Sequence, residues 1–158
     1  MQLTKFSDYA LRVLMFTQSA GGRLVTIDEI AGAYGISRAH LTKVVNALTR
    51  AGYLTALRGR AGGLKLARLP EEIRLGEVVR ATEPDFALVE CLATGGQCVI
   101  SGCCRLPRVL NEALSDFIAA LNRHTLASIA VEPGSFSQPN GVEPSRRRRA
   151  AVARSSAV

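Results

Sequence analysis

Residues 26–50, TIDEIAGAYGISRAHLTKVVNALTR, restrict the fold more than any other stretch of the chain. Thr26 followed by Glu29 is a capping box, in which each side chain takes up a free backbone amide of the other residue and so starts a helix. Ile27, Ile30, Ala31 and Tyr34 then form an apolar stripe, which Gly35 interrupts. Ser37 caps a second helix whose inward face is Leu41, Val44, Val45 and Leu48. Two short helices joined by a tight glycine-containing turn predict a helix-turn-helix. At about 100° per residue, Ala39, Thr42, Lys43, Asn46 and Arg50 lie opposite that inward face, with Arg38 at its N-terminal edge. Small, cationic and amide side chains at the start of such a helix suit base edges and phosphates. The alternative is a polar exposed face with no target.

The flanking segments complete a known architecture. Upstream, Phe6, Ala10, Val13, Leu14 and Thr17 share one face of a helix that stops at Gly21-Gly22. Downstream, two β-prone runs, residues 53–58 and 64–67, flank Gly59-Arg60-Ala61-Gly62-Gly63. These glycines lack the Lys-Ser/Thr of a Walker loop and open onto no helix, so they predict a hairpin with Arg60 at its tip. The negative potential of a narrow minor groove attracts such an arginine. From Arg38 to Arg68 the chain holds Arg38, Lys43, Arg50, Arg58, Arg60, Lys65 and Arg68 and no acid, within a net charge of +7. A one-sign block with acids on either side fits a phosphate-facing surface, against the alternative of a solvated basic face. The expected fold is mainly α with a small β-wing: a winged helix-turn-helix DNA-binding domain over residues 1–82. Its candidate contacts to double-stranded operator DNA are Arg38, Ala39, Thr42, Lys43, Asn46, Arg50, Arg58 and Arg60.

A short helix over Leu75–Thr82 ends before Pro84 and leads into a cysteine-rich loop, residues 83–106. Beyond it, Leu110, Leu114, Phe117, Leu121 and Thr125, broadened by Ile118 and Ile129, predict a long helix over residues 107–132. One face of it is too apolar to stand alone, and two-fold DNA sites are read by two-fold proteins, so a homodimer is expected. From Pro133 the composition turns to Pro, Gly, Ser and Gln and then RRRRAAVARSSAV, the pattern of a disordered Arg-rich tail over residues 133–158. The apolar stretch ALRVLMFTQSA carries Arg12 and is too short and too polar for a membrane span. With no export signal, a cytoplasmic protein without a membrane partner is expected. In a reducing compartment, thiols serve metal or redox chemistry more readily than structural disulfides.

All four cysteines fall in one loop with the spacing Cys91-x6-Cys98-x4-Cys103-Cys104. Structural zinc usually pairs ligands two to four residues apart. Adjacent Cys103 and Cys104 point to opposite sides of an extended chain, which makes a shared ion awkward. A thiol–disulfide switch gives no role to three well-spaced thiols. An iron–sulfur cluster accounts for the thiolates and for the small residues Gly95, Gly96, Ser101 and Gly102, which let backbone amides approach sulfides. Spacing ranks the cluster ahead of zinc and leaves both open.

MQLTKFSDYALRVL, SRAHLTKVVNALTRAGYLTALRGRAGG, EPDFALVEC and CRLPRVLNEAL together resemble the iron–sulfur winged-helix repressors, in particular their nitric-oxide-sensing members, from residue 1 to about residue 129. The resemblance implies a repressor whose iron–sulfur cluster, 4Fe-4S in preference to 2Fe-2S, senses nitric oxide, cluster nitrosylation weakening operator binding. It further implies Cys91, Cys98 and Cys104 as ligands, the last followed directly by Arg-Leu, with Cys103 an extra thiol. Asp8 of the partner subunit is implied as the fourth ligand. Read alone, Asp8 is a first-turn acid that can pair with Arg12 four residues on. Related cluster-homeostasis regulators carry a ligand histidine three residues after the last cysteine, where this chain has Pro107, and neither His40 nor His124 is placed to replace it. A regulator of the same fold responding to iron or redox state is the alternative. A cysteine enzyme is disfavoured, since no acid–base spacing stands out.

Overall fold

Helix α1 (Lys5–Ser19) runs through the middle of the domain because Ser7, Ala10, Val13, Leu14, Phe16 and Thr17 all turn inward. Thr4 starts it by accepting the Ser7 amide. Its buried hydroxyls are satisfied: Thr17 Oγ1 donates to the Val13 carbonyl at 2.8 Å, and Ser7 Oγ lies 2.8 Å from Thr82 Oγ1. The structure, a computed structural model, describes residues 2–59, 61–89, 92, 98–100 and 103–136. After α1 come α2 (Ile27–Tyr34), α3 (Arg38–Arg50), strands β1 (Leu54–Leu57) and β2 (Gly63–Leu66), α4 (Leu75–Thr82) and α5 (Leu106–Asn122). Single 3₁₀ turns occupy Pro70–Glu72, Leu126–Ile129 and Pro133–Phe136.

The capping box forms as the sequence dictates. Thr26 Oγ1 accepts the Glu29 amide at 3.2 Å, and Glu29 Oε2 accepts the Thr26 amide at 2.6 Å. The hydrogen bond from the Thr26 backbone is the main reason that the Glu29 carboxyl sits below its ordinary pKa. Replacing Thr26 with Ala is expected to lower stability by about 1 kcal/mol in urea denaturation at neutral pH. Because the folded-state pKa of Glu29 is depressed, its share of that stability is present above the unfolded-state pKa and is lost as pH falls through the folded value. A Glu29→Gln protein and its parent should therefore converge in stability in acid; a gap that persists there would count against this cap.

Strands β1 and β2 pair antiparallel in the register Leu54↔Leu66, Thr55↔Lys65, Ala56↔Leu64 and Leu57↔Gly63. The ladder gains one more bond where the Ala67 amide donates to the Tyr53 carbonyl. Val25 bridges Leu64 in both directions, at 3.0 and 2.7 Å, which ties the wing to the chain entering α2. Gly63 makes this approach possible, since a Cβ there would lie 3.0 Å from both Leu24 Cβ and the Val25 carbonyl oxygen. The core beneath is continuous: Leu14, Ile30, Leu41, Leu48, Leu54 and Ile73 are all essentially fully buried. Each such side chain contributes about 1.5–3 kcal/mol by leaving water.

Two expectations need correction at the C-terminal side. The long helix does not run through residue 132; α5 ends at Asn122. There the Arg74 guanidinium takes the Asn122 carbonyl at 2.9 Å, the Leu75 amide donates to the His124 carbonyl, and the Leu126 amide donates to that of Ile73 at 2.8 Å. The chain thus folds back, and Leu126 enters the same core as α1 and α3. These bonds and the burial of Leu126 replace the backbone bonds that a continued helix would have made. Nor is the segment from Pro133 structureless throughout. Residues 133–136 form a 3₁₀ turn, and Phe136 packs against Phe16 and Tyr34 with ring centroids 5.0 and 5.5 Å away. Residues 137–158 lie outside the described residues.

Helices α4 and α5 meet at Gly76, where a Cβ would come within 2.6 Å of the Ile118 carbonyl oxygen and would overlap the Asn122 side chain. Ile118 is the one buried residue of α5. Leu110, Leu114, Phe117 and Leu121 remain only half covered.

Candidate nucleic-acid interface and cysteine loop

The sequence of α3 separates its faces cleanly. Ser37 caps it by accepting the His40 amide, and Leu41, Val44, Val45 and Leu48 are buried as expected. Arg38, Ala39, Thr42, Lys43, Asn46 and Arg50 are all exposed. The helix therefore brings six of the eight expected DNA-contacting residues together on one solvent-facing surface. Thr42 Oγ1 donates back to the Arg38 carbonyl at 2.8 Å, so its methyl is the group left for an apolar contact. Arg50 Nε donates to the Asn46 carbonyl at 3.3 Å. The Arg38 guanidinium pairs with Asp28 of α2 at 3.2 Å, both side chains being well exposed. An exposed pair of this kind is worth at most about 1 kcal/mol, so a phosphate or base edge exchanges for Asp28 at little cost.

The wing adds Arg58 and Lys65, both exposed. Arg60 lies outside the described residues. Arg68, which the charge block includes, instead lies over the Tyr53 ring at 5.1 Å and donates to the Ala51 carbonyl, so it braces the base of the wing. His40, on the first turn of α3, is exposed on the same helix, its ring 6.4 Å from that of Tyr9.

Of the expected cluster ligands, Cys91 lies outside the described residues. Cys98 is exposed and Cys104 half-buried. The Ile100 carbonyl accepts the amides of both Cys103 and Cys104, at 3.1 and 2.9 Å, closing a turn just before α5. The Cys103 thiol donates to that same carbonyl at 3.5 Å, which directs it back onto its own loop. Among the described residues no three His, Cys, Asp or Glu side chains converge on a common point. Exposed apolar side chains border the loop: Val99 and Ile100 within it, Leu106 and Val109 on the first turns of α5. Pro107 occupies the first turn of α5, a position that suits proline because the amide there has no helical partner.

Asp8 sits on the outward side of α1. Its two oxygens take Arg12 Nε and Nη2, each at 3.0 Å, with both side chains a little under half exposed. That hydrogen bond donated to Asp8 is the main reason the Arg12 pKa is raised. The Arg12 guanidinium also lies 5.5 Å over the Tyr34 ring. Within one chain, then, the structural role of Asp8 is the one displayed. Nearby, a groove of about 590 Å³ runs between the start of α1, the 83–88 segment and Phe117 of α5. Glu83 closes one end, its Oε1 accepting both the amide and the hydroxyl of Thr4.

Residues 3–132 match the Rrf2 family, described as an iron-dependent transcriptional regulator. The HTH-type transcriptional regulator NsrR of Bacillus subtilis is 48% identical over 131 residues, covering 82% of this chain and 90% of that protein. Among solved structures, T. potens IscR superposes with a TM-score of 0.62 at 22% identity, covering 82% of this chain and 85% of the other. CymR, the global cysteine regulator of B. subtilis, gives 0.64 at 22% identity, with 82% and 96% covered. These two support the winged-helix fold. Among the described residues no helix is long and apolar enough to cross a membrane.

Proposed function

The chain belongs to the Rrf2 family of transcriptional regulators, and on that premise we propose that it is a homodimeric, DNA-binding repressor governed by an iron–sulfur cluster that senses nitric oxide. The observation carrying the DNA-binding half is the single exposed face of α3 bearing Arg38, Ala39, Thr42, Lys43, Asn46 and Arg50. In a two-fold dimer two such helices would enter successive major grooves about 34–36 Å apart, with the wing-tip Arg60 directed to the adjoining minor groove and Arg58 to the DNA beside it. The half-covered stripe of α5 and the exposed Val99, Ile100, Leu106 and Val109 form an apolar surface that a second copy would cover.

Cys91, Cys98 and Cys104 are the thiolates to hold the cluster, and their chemistry fits it. The Cys103 thiol is engaged with the Ile100 carbonyl, which supports its exclusion from the set. When bound, the cluster would supply iron, four atoms in preference to two, that nitric oxide nitrosylates. Asp8 would act as fourth ligand toward the partner's loop by exchanging its exposed Arg12 pair for iron. A tenfold loss of operator affinity requires a coupling of only about 1.4 kcal/mol between the two sites.

Asp8→Ala separates the two roles of that residue. Loss of an exposed i,i+4 pair lowers stability by about 0.5 kcal/mol. Loss of a ligand lowers iron retention far more, so the variant should emerge from anaerobic purification depleted in iron and sulfide. Full iron content and an unaltered nitric-oxide response would assign Asp8 to the helix alone. The description of the family as iron-dependent favours a second reading, in which the same loop reports iron supply or redox state. Titrating anaerobic holoprotein separately with nitric oxide, an iron chelator and an oxidant, while following operator binding, tests the proposal. Release by nitric oxide at stoichiometric amounts supports it; release by the other treatments alone overturns it.

A further inference from the structure

The polar surface of α3 continues past the edge of that helix onto α1. At about 100° per residue, His40 lies about 90° around α3 from the centre of the face formed by Ala39, Lys43, Asn46 and Arg50. This flank is the one turned toward α1, because the His40 ring stands 6.4 Å from that of Tyr9, tilted by 43°. Lys5, four residues before Tyr9 on the same side of α1, is exposed. Among the described residues, neither the Tyr9 hydroxyl nor the His40 ring has a hydrogen bond, and Lys5 has no ion pair. Helix stability does not explain Lys5 either. It is the first residue of α1, where the positive end of the helix dipole disfavours a cation.

We propose that Lys5, Tyr9 and His40 form a phosphate-contacting ridge, which grips the DNA backbone along one wall of the major groove while α3 lies in that groove. The proposal deepens the DNA-binding reading of α3 and rests on it. A helix with its side chains is about 10–12 Å across and the major groove about 12 Å wide, so side chains on the flanks of α3 meet the phosphates at the groove walls. Arg38 occupies the flank next to α2, where it now pairs with Asp28. On the flank next to α1 the chain places His40, backed by Tyr9 and Lys5. An imidazole N–H and a phenol O–H donate to phosphate oxygens, and the ammonium adds charge. Such contacts carry no sequence information; they fix how α3 is seated.

The test measures fluorescence anisotropy over a salt series on two duplexes of about 40 base pairs, long enough for a two-fold site. One is selected from a random pool on the full holoprotein, and the other has mixed sequence. Lys5→Ala should make the slope of log K against log salt shallower by about 0.9 per chain on both duplexes, and Lys5→Arg should keep the parent slope. Tyr9→Phe leaves the ring against His40 and removes only a donor, so affinity should fall about two- to tenfold on both duplexes with the slope unchanged. His40→Ala should weaken both duplexes by a similar factor. A merely structural role for these side chains would lower thermal stability and leave the salt slope alone. An unchanged slope in Lys5→Ala overturns the proposal, including the case in which that variant's dimer dissociates more readily in sedimentation and the ridge faces the second copy. Unchanged affinity in both Tyr9→Phe and His40→Ala also overturns the ridge. The Lys43→Ala/Asn46→Ala double variant keeps the two ideas apart, since it should weaken the selected duplex more than the mixed one. If it does so while the ridge variants change nothing, the proposal fails and the α3 reading stands. If it changes neither duplex, the α3 reading fails.

Discussion

Cys104→Ser is expected to yield a folded protein that holds little iron and binds operator at least tenfold more weakly, while Cys103→Ser keeps both properties. The two thiols are neighbours, so the contrast rests on how the loop presents them. Both amides are fixed by the Ile100 carbonyl, and the Cys103 thiol points to the same oxygen, whereas the half-buried Cys104 has no such tie. Bringing Cys103 into the place of Cys104 would break these backbone bonds, each worth about 0.5–1.5 kcal/mol. A serine hydroxyl stays protonated where a thiolate is required, so it leaves one corner of the cluster open. Iron and sulfide content, the anaerobic absorption spectrum and operator binding give the readout. The reverse pattern, with Cys103→Ser the damaging change, would reassign the ligand.

The second large effect concerns stability. Leu126→Ala should cost about 2–5 kcal/mol in urea unfolding, a substantial part of the total for a domain of this size. Leu126 is fully buried with Ile73 and the α1 residues, and its own amide completes the Ile73 carbonyl. Leu114→Ala offers the contrast, because Leu114 lies on the half-covered stripe of α5. That change should cost under about 1 kcal/mol within a chain and act instead on self-association, raising the dimer dissociation constant in sedimentation. Similar losses of intrachain stability at both positions would contradict the division of α5 and its following turn into a half-covered face and a core element.

Local chemistry made the winged helix readable. Thr26, Glu29, Gly35 and Ser37 each act within three or four residues, and the buried set of α3 follows from periodicity alone. The end of α5 was not readable in the same way. Leu121, Thr125 and Ile129 keep helical spacing, and the turn that interrupts them depends on Arg74 and Ile73, some fifty residues upstream. Phe136 escaped for a related reason: its partners Phe16 and Tyr34 meet it only in three dimensions, while its neighbours in sequence read as linker. Arg68 belongs to the basic block in sequence, but its contact with Tyr53 exists only in three dimensions. At Asp8 the local pair with Arg12 was legible, whereas any ligand role belongs to a second chain, which no intrachain spacing can display.

The Gly76 contact has a mechanical consequence. Near its C-terminal end α5 is pinned to the winged helix by Gly76, by Arg74 on the Asn122 carbonyl and by the return of Leu126 into the core. Its other end, Leu106, carries the turn that holds Cys103 and Cys104. The helix is therefore a rod of about 25 Å held at one end. Over that length, an angle of about 5° at Gly76 corresponds to about 2 Å at the Leu106 end. By the same geometry, a displacement of ångström size at the Leu106 end corresponds to a rotation of only a few degrees between such a rod and the winged helix.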